Sequence, residues 1–224
     1  MFIKRKNKKV MADNKQNIKS GFTKDELKVF GSLKKPHDIQ LFLNDIKYNP
    51  EYVTRSPKMI LRHNEANCFE GALFAAAALR MLGYKPLIVD MMAKNDDDHI
   101  IAVFKKNGLW GAVAKSNTTL LRFREPVYRT IRELVMSYFE FYFNTLGEKS
   151  LISYSNPVDL AKFDKYDWMT TENDLEFIGD YLFEIKHHEI YPKSSRPLNG
   201  ADKEVVDLCF SGAIVEGLFV PKKK

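Results

Sequence analysis

The stretch from Cys68 to Leu82, CFEGALFAAAALRML, constrains the fold of this chain more than any other. Its alanine and leucine residues favour a helix, and Gly83 follows in the position of a C-terminal cap. The helix is apolar on nearly every face, and such a helix is stable in water only when other elements enclose it. Its small side chains would let a sheet approach the helix axis closely. The sequence therefore predicts a central, buried helix that begins at Cys68.

Three strand-like segments follow the predicted helix. Residues 86–92 have strand composition. Residues 99–105 and 109–114 do as well, and they flank Asn107-Gly108, which is a strong signal for a two-residue hairpin turn. The predicted order is therefore a buried helix, a strand and a hairpin.

Further helices are predicted on both sides of this unit, from capping residues and from apolar residues at helical spacing. They begin after Thr23, at Pro36, at Pro126 and near Thr170 or Thr171, and the third runs to Gly147. Residues 205–220 are apolar but contain two glycines, so they fit either a helix or a strand. We predict one domain over residues 21–224, with a core at about 52–120 and a helical C-terminal extension at 121–224.

The formal net charge of +6 is concentrated in the first 20 residues, which hold seven Lys or Arg and one Asp. Without this tail and the three lysines at the C-terminal end, the chain is net negative. A basic groove is therefore not predicted, and nucleic acid is not an expected partner. We expect the tail at residues 1–20 to be disordered or poorly ordered, and either Met1 or Met11 could be the start of translation.

The composition is typical of a soluble globular protein, with 45% hydrophobic and 29% charged residues. No uncharged apolar stretch is long enough to cross a membrane, and the basic N-terminus lacks the apolar region of a secretion signal. We therefore expect a cytoplasmic protein without a membrane span. Its two cysteines, Cys68 and Cys209, are too few for a disulfide scaffold, so both are expected to be free thiols.

Cys68 and His99 are the residues best placed for chemistry. A helix N-terminus lowers the pKa of a thiol, because unpaired N–H groups and the helix dipole favour an anion there. His99 begins a strand that could pack on this helix and bring its imidazole to the sulfur as base and then acid. As an alternative, the neighbouring Asp98 would favour the charged imidazole and raise the pKa of His99. Cys209 lies in an apolar run and is expected in the core.

A third group normally holds such an imidazole in one tautomer by accepting a hydrogen bond from its second ring nitrogen. If Lys106 pairs with Leu109 across the hairpin turn, His99 falls opposite Ser116. A one-residue bulge would bring Asn117 into that place instead. Ser116 and Asn117 are therefore both candidates for the third catalytic residue.

Two other polar clusters do not predict a metal site. Asp96, Asp97 and Asp98 lack the alternation and the central glycine of a calcium loop, so a solvated turn is expected. His187 and His188 are adjacent, and in a helix they would point to different faces. No metal is therefore expected.

Three parts of the sequence together resemble the core of the transglutaminase-like superfamily, relatives of papain-type thiol enzymes: NCFEGALFAAAALRMLGYKPLIVD at 67–90, His99, and GLWGAVAKSN at 108–117. In that family a cysteine opens a central helix that ends near Leu-Arg-x-x-Gly, here Leu79, Arg80 and Gly83. A histidine follows on a strand, and a tryptophan in the next strand matches Trp110. The resemblance implies an α+β, papain-like fold in which the Cys-bearing helix packs on an antiparallel sheet, with additional C-terminal helices.

The resemblance also implies an activity. It is that of an amide or ester hydrolase or an acyl transferase, which forms a thioester on Cys68 with His99 as general base and acid. The substrate would be a peptide, a protein or a small amide or ester, the acceptor would be water or an amine, and no cofactor is implied. The family's aspartate lies four residues after the tryptophan, where this chain has Ala114. Ser116 or Asn117 would replace it, or the pair would act as a dyad.

An oxyanion site would combine the N–H of Cys68 with an amide side chain from the preceding segment, where Asn64 and Asn67 are available. Trp110 is a further candidate for substrate binding. The papain-like pattern has a glutamine a few residues before the cysteine, and none is present here. An alternative function is a non-catalytic binding or scaffolding domain that keeps the fold, and the missing aspartate is the feature that motivates it.

Overall fold

The buried helix predicted from the sequence lies at the centre of the structure. A computed structural model describes residues 21–222 and places this helix against a seven-stranded sheet. The elements follow one another in this order: α1 Lys24–Ser32, α2 Pro36–Asp45, β1 Lys47–Tyr48, α3 Pro57–His63, β2 Glu65–Ala66, α4 Cys68–Met81, β3 Leu87–Ala93, β4 His99–Lys106, β5 Leu109–Val113, β6 Arg124–Tyr128, α5 Ile131–Phe139, β7 Leu151–Ser155, β8 Val158–Asp159, α6 Glu176–Glu184, β9 His187–Glu189 and α7 Lys203–Phe210. Short 3₁₀ turns cover Leu160–Tyr166, Lys193–Ser195 and Val215–Gly217.

The pairings of the seven-stranded sheet are all antiparallel. Its strand order is β6-β5-β4-β3-β7-β9, and β8 also pairs with β3. Strands β1 and β2 form a separate parallel pair. The α+β class and the antiparallel sheet predicted from the sequence are thus confirmed.

The two faces of the sheet carry separate cores, because successive residues of a strand point to opposite sides. Ile88, Ile100 and Ala102 pack on the face that α4 covers. Val89 and Ile101 pack on the other face, which α5 covers. Helix α4 is enclosed, and its residues from 70 to 79 are all buried.

Gly71 shows why α4 carries small side chains. A Cβ atom at this position would lie 2.1 Å from the Cβ of Lys115, on the segment after β5. Lys115 is held there because its Nζ donates to the carbonyls of Leu43 and Ile46, at 2.7 and 2.6 Å. The helix ends just before Gly83, which takes a φ of +94° as the predicted cap requires.

The hairpin between β4 and β5 has the predicted two-residue turn. Lys106 pairs with Leu109, but the ladder ends before the chain reaches Ser116. The expected pairing of His99 with Ser116 is therefore wrong, and His99 pairs instead with Met91 of β3.

A side chain pairs with the backbone just after β5. Gln40, buried in α2, accepts from the N–H of Ala114 at 3.0 Å and donates to the carbonyl of Ala114 at 2.9 Å. Both backbone groups of Ala114 are thus satisfied by one side chain. The chain leaves the sheet at this residue and continues across the region near His99.

The helix predicted from Pro126 to Gly147 is wrong at its start and in its length. Pro126 lies in strand β6, and α5 begins only at Ile131. Thr130 caps α5 by accepting a hydrogen bond from the N–H of Glu133 at 3.1 Å. The apolar residues of β6 continue the spacing of the helix, so periodicity alone did not separate the two elements.

The additional C-terminal helices predicted over 121–224 are present as α5, α6 and α7, but the described residues of this region also contain strands. This region adds strands β6, β7, β8 and β9 on both sides of the central strands. Strands β8 and β9 have only two and three residues, too few for an alternating pattern to be recognised. His187 and His188, expected in a helix, lie in β9.

Helix α6 begins at Glu176 and not near Thr170 or Thr171. Asp174 accepts a hydrogen bond from the N–H of Glu176 at 2.6 Å and another from the N–H of Thr54 at 3.1 Å. The carboxylate therefore ties the start of α6 to the segment before α3.

The C-terminal apolar stretch is the short helix α7 followed by a segment that forms no strand and contains the 3₁₀ turn Val215–Gly217. Cys209 in α7 is buried, as predicted, and both cysteines are free thiols. The basic tail at residues 1–20, for which disorder is predicted, lies outside the described residues. Within residues 21–222, no helix is both long enough and apolar enough to cross a membrane.

Candidate active site

Cys68 is the first residue of α4, as predicted, and is partly exposed. The preceding Asn67 caps the helix: its Oδ1 accepts from the N–H of Glu70 at 2.9 Å. The cap leaves the N–H groups of Cys68 and Phe69 without partners in the preceding turn. Both N–H groups act on the Cys68 sulfur and favour its anionic form. The N-terminus of α4 therefore presents two donors beside the thiol.

Glu70 fixes the loop in front of the thiol. Its buried carboxylate accepts from the backbone N–H groups of Asn67 and Arg55, at 2.8 and 3.1 Å. It also accepts from Asn49 Nδ2 at 3.2 Å. Burial raises the pKa of Glu70, and these hydrogen bonds oppose the rise. The sequence pattern Asn67-x-x-Glu70 is a capping box that the sequence analysis overlooked.

His99 is the first residue of β4 and is 4% exposed. Its Nε2 lies 2.9 Å from the carbonyl oxygen of Leu121. A carbonyl oxygen only accepts hydrogen bonds, so Nε2 must carry the proton in this contact. In the neutral imidazole the lone pair is then on Nδ1, which is the atom that can take a proton.

The Cys68 sulfur lies against the backbone on both sides of His99. Its Sγ is 3.9 Å from the carbonyl oxygen of Asp98, and the N–H of Ile100 also acts on it. Among residues 21–222, no hydrogen bond joins Sγ to the imidazole. The two side chains nevertheless line the same small cavity, of about 60 Å³.

A second, larger cavity of about 340 Å³ opens on the other side of the thiol. Cys68 lines both cavities, whereas His99 lines only the smaller one. Tyr48, Asp97 and Asp98 also contribute to both. The thiol therefore stands at the junction between the larger cleft and the smaller cavity that the imidazole lines.

The electrostatics of the thiol differ from the prediction. Burial raises the pKa of Cys68 to about 12, and the Asp97 carboxylate adds to the rise. The N–H groups around the sulfur, of which that of Ile100 has the largest effect, oppose it. The expected thiolate is therefore wrong for this conformation, in which Cys68 is a neutral thiol at pH 7.

The imidazole is neutral as well. Burial lowers the pKa of His99 to about 4, the hydrogen bond to the Leu121 carbonyl opposes this, and the charge of Arg124 lowers it further. The alternative in which Asp98 raises the pKa of His99 is therefore wrong. The Asp98 carboxylate is directed elsewhere, since its Oδ1 accepts from the N–H of Ala93 at 2.6 Å.

The acidic loop before His99 is exposed at Asp97 and Asp98, as predicted, but it is also anchored by hydrogen bonds. Tyr142 Oη donates to the carbonyl of Asp97 at 2.8 Å, and Ser150 Oγ donates to the Asp96 carboxylate at 2.6 Å. Burial raises the pKa of Asp96 to about 6. Within the described part of the chain, no group of three or more His, Cys, Asp or Glu side chains could hold a metal ion.

Ser116 and Asn117 line the small cavity, but their hydrogen bonds do not go to His99. Ser116 Oγ pairs with Thr118 Oγ1 at 2.9 Å. The Asn117 amide binds the backbone of Ile214 at 2.8 Å in both directions, as donor to the carbonyl and as acceptor from the N–H. The partner of the imidazole is instead the backbone of Leu121, and no side-chain motif could have indicated it.

The other predicted site residues lie apart from the pair or are already engaged. Asn64 ends α3 with an exposed side chain and lines neither cavity. Asn67 lines the larger cleft, but its Nδ2 donates to the carbonyls of Glu51 and Val53. Trp110 lies near the hairpin turn, where it pairs with Lys105, and it lines neither cavity. Six residues of extended strand separate Lys105 from the start of β4, a distance of about 20 Å.

Sequence reasoning missed the residues that close the small cavity. They come from distant parts of the chain, with Tyr48 in β1, Tyr142 after α5, and Leu218 and Phe219 near the C-terminal end. The Tyr142 ring lies edge-on to the His99 ring, with 6.4 Å between centroids. Apolar and aromatic residues of this kind carry no motif, so only the fold reveals their position.

Comparisons with known proteins identify no family for this chain. No family model and no curated protein sequence matches this chain. Among solved structures, it is similar to LapG from Legionella pneumophila, with a TM-score of 0.38 and 12% identity over 70% of this chain and 94% of that one. EGTA-treated LapG from the same organism gives a TM-score of 0.37 and 12% identity, over 70% of this chain and 95% of that one. These values are too low to transfer an activity or a residue's role to this chain.

Proposed function

We propose that this protein is a thiol-dependent amide or ester hydrolase or acyl transferase, with Cys68 as nucleophile and His99 as general base and acid. The observation that carries the proposal is the cavity shared by a thiol at a helix N-terminus and a neutral imidazole that keeps a lone pair on Nδ1. The resemblance of the sequence motifs to the transglutaminase-like superfamily points in the same direction. The substrate would be a peptide, a protein or a small amide or ester.

The chemistry would proceed by proton transfer in step with attack. As Sγ bonds to the carbonyl carbon of the substrate, Nδ1 of His99 takes the thiol proton, and Nε2–H remains on the Leu121 carbonyl. The N–H groups of Cys68 and Phe69 would stabilise the oxyanion. The bond to the leaving group then breaks as Nδ1 returns the proton to that group. The remaining thioester passes its acyl group to water or to an amine.

The resting pair does not form an ion pair. Values of about 12 for the pKa of Cys68 and about 4 for that of His99 make thiolate–imidazolium formation unfavourable by on the order of 10 kcal/mol in this conformation. Turnover therefore requires either concerted proton transfer or a rearrangement that hydrates the thiol.

Acylation by an activated ester tests the proposal. We expect p-nitrophenyl acetate to acetylate Cys68, detected by peptide mass spectrometry, with release of p-nitrophenol. Cys68→Ser should abolish acetylation at this position, and His99→Ala should slow it by roughly 10²- to 10⁴-fold. Cys209→Ser is the matched control and should retain the native rate. Absence of Cys68 acetylation, both in the native chain and in variants that open the small cavity, would contradict the function.

The neutral pair also favours a second candidate, a binding domain of the same fold without turnover. In that case His99→Ala would leave the rate at which iodoacetamide alkylates Cys68 unchanged. In an enzyme the same substitution should slow the alkylation, because the imidazole takes the thiol proton as the sulfur reacts. The dependence of Cys68 alkylation on His99 therefore discriminates between the two candidates.

A further inference from the structure

We propose that residues 211–222, which we call the strap, form an autoinhibitory element that closes the space between Cys68 and His99. This inference rests on the proposed function, because it concerns regulation of the same site. The strap follows α7, has the sequence SGAIVEGLFVPK, and pairs with no strand of the sheet. It crosses the site as a separate segment.

The strap leaves too little room for a substrate. Leu218 and Phe219 line the small cavity together with Cys68 and His99. Its volume of about 60 Å³ admits a few water molecules, whereas pockets for organic ligands usually have about 300–1,000 Å³. A ligand that needs a pocket of that size therefore does not fit between the sulfur and the imidazole while the strap is in place.

The strap also separates the small cavity from the larger cleft. Glu216 and Gly217 line the cleft of about 340 Å³, and the next two residues line the small cavity. Tyr48 and Cys68 border both spaces. Movement of the strap would join the two spaces, so that a ligand in the cleft could reach the imidazole as well as the thiol.

Two amide side chains hold the strap by its backbone. Asn117 Nδ2 donates to the carbonyls of Ile214 and Gly217, at 2.8 and 3.0 Å, and its Oδ1 accepts from the N–H of Ile214 at 2.8 Å. Asn95 accepts from the N–H of Lys222 at 2.8 Å and donates to its carbonyl at 3.2 Å. The strap is thus fixed at one point near its middle and at another near its end.

Gly217 permits the close approach at the first of these points. A Cβ atom there would lie 2.7 Å from Cε1 of Tyr48 and 3.2 Å from Asn117 Nδ2. Any side chain at this position would push the strap away from both residues. The glycine therefore gives a means of opening the site without altering the catalytic pair.

The strap has the features of a segment that opens locally. Val215 and Val220 are 75% and 85% exposed, and Leu218 and Phe219 are only partly buried. Segments with few buried apolar contacts and no place in a sheet open at a low fraction of the global unfolding free energy. A partner or a substrate that competes for these contacts would relieve the inhibition.

Alkylation of Cys68 in the full-length chain tests the strap. Iodoacetamide is added at one fixed alkaline pH to the native protein and to three variants, and labelling of the Cys68 peptide is resolved from that of Cys209 by mass spectrometry. Gly217→Ala forces the strap outward and Phe219→Ala removes its contact with the cavity. Val220→Ala, at an exposed strap position, is the matched control. Circular dichroism checks that all four proteins are folded.

We expect Gly217→Ala and Phe219→Ala to raise the alkylation rate about tenfold, while Val220→Ala keeps the native rate. Equal rates in all four proteins would overturn the autoinhibitory strap, and so would an equal rise in the control. Alkylation requires no turnover, so this result is independent of catalysis. Faster alkylation of Cys68 in Gly217→Ala and Phe219→Ala, without acetylation by p-nitrophenyl acetate, would support the role of the strap and overturn the proposed enzymatic function. Acetylation of Cys68 at one rate in all four proteins would support the enzymatic function and overturn the autoinhibitory role of the strap.

Discussion

At the scale of single residues, a backbone carbonyl takes the role for which a side chain was expected. The Leu121 carbonyl fixes the proton of His99 on Nε2 because it can only accept. A serine hydroxyl or an asparagine amide can both donate and accept, so either could bind a ring nitrogen with or without a proton. The carbonyl allows only the neutral tautomer that carries its proton on Nε2. Every residue has a carbonyl, so the sequence could indicate Cys68 and His99 but gave no signal for their third partner.

The state of the Cys68 thiol follows from the sizes of two opposing effects. A helix N-terminus stabilises an anion by typically 0.3–1 kcal/mol, which is less than about one pKa unit. Burial can shift a pKa by up to about 3–5 units. With the Asp97 carboxylate acting in the same direction as burial, the thiol is neutral in the closed site. The position of Cys68 was predictable, but the loss of water around its sulfur, which raises its pKa, was not.

The buried, neutral His99 should make stability dependent on pH. In the unfolded chain its imidazole binds a proton below about pH 6.5, whereas in the folded chain it does so only below about pH 4. The unfolded state is therefore favoured as the pH falls through this window, by about 3 kcal/mol in total. We expect the free energy of unfolding of the native chain, relative to His99→Gln, to fall by that amount between pH 7 and pH 4.

Urea denaturation at several pH values measures this difference. Burial raises the pKa of Asp90 and Asp96 to about 6, and these carboxylates act in the opposite direction. They are present in both proteins, so their contribution cancels in the comparison. A difference that stays constant from pH 7 to pH 4 would contradict the depressed pKa of His99.

At the scale of elements, the missing side chain of Gly71 allows α4 to pack closely against the segment after β5. Gly71→Ala would gain about 1 kcal/mol of helix propensity. The new Cβ would, however, lie 2.1 Å from the Cβ of Lys115, whose ammonium is held by two carbonyls. Overpacking of this kind costs typically 1–3 kcal/mol or more, so we expect a net destabilisation of about 2 kcal/mol.

Gly31→Ala is the matched control, because Gly31 lies in α1 and a Cβ there meets nothing within 4 Å. This substitution should leave stability unchanged or raise it by up to about 1 kcal/mol. Urea denaturation of both variants measures the two effects. Destabilisation of similar size at both positions would show that the close approach at Gly71 is not the cause.

The elements that the sequence predicted are those with strong local signals. The capping box after Thr23, the alanine-rich helix and the Asn107-Gly108 turn all specify structure within a few residues. The predictions failed where a distant group decides the outcome. Gln40 of α2 binds both backbone groups of Ala114, and the short strands β8 and β9 form by pairing with β3 and β7.

At the scale of the whole molecule, the C-terminal half completes both the sheet and the site. Strand β7 extends the sheet beyond β3, and β6 extends it beyond β5. Across β7, His187 Nε2 of β9 lies 2.9 Å from Asp90 Oδ2 of β3. The same half supplies the Leu121 carbonyl and the strap. The sequence motifs between residues 67 and 117 contain Cys68 and His99. Leu121 and the strap, which contact or surround these two residues, lie outside the motifs.

This division predicts that residues 21–120 do not fold alone. The fragment would retain α4 and strands β3–β5, but it would lose Leu134, Tyr138 and Tyr142, which cover the second face of the sheet. Val89, Ile101 and Val103 would then be exposed to water, at a cost of roughly 1.5–3 kcal/mol for each side chain. A loss of this size is comparable with the whole stability of a small domain, about 5–15 kcal/mol.

We expect poorly dispersed amide resonances and no cooperative melting for residues 21–120, and a folded spectrum for residues 21–222. A cooperative transition in the shorter fragment would instead identify an independent core at about residues 52–120 and make the C-terminal half an addition to it.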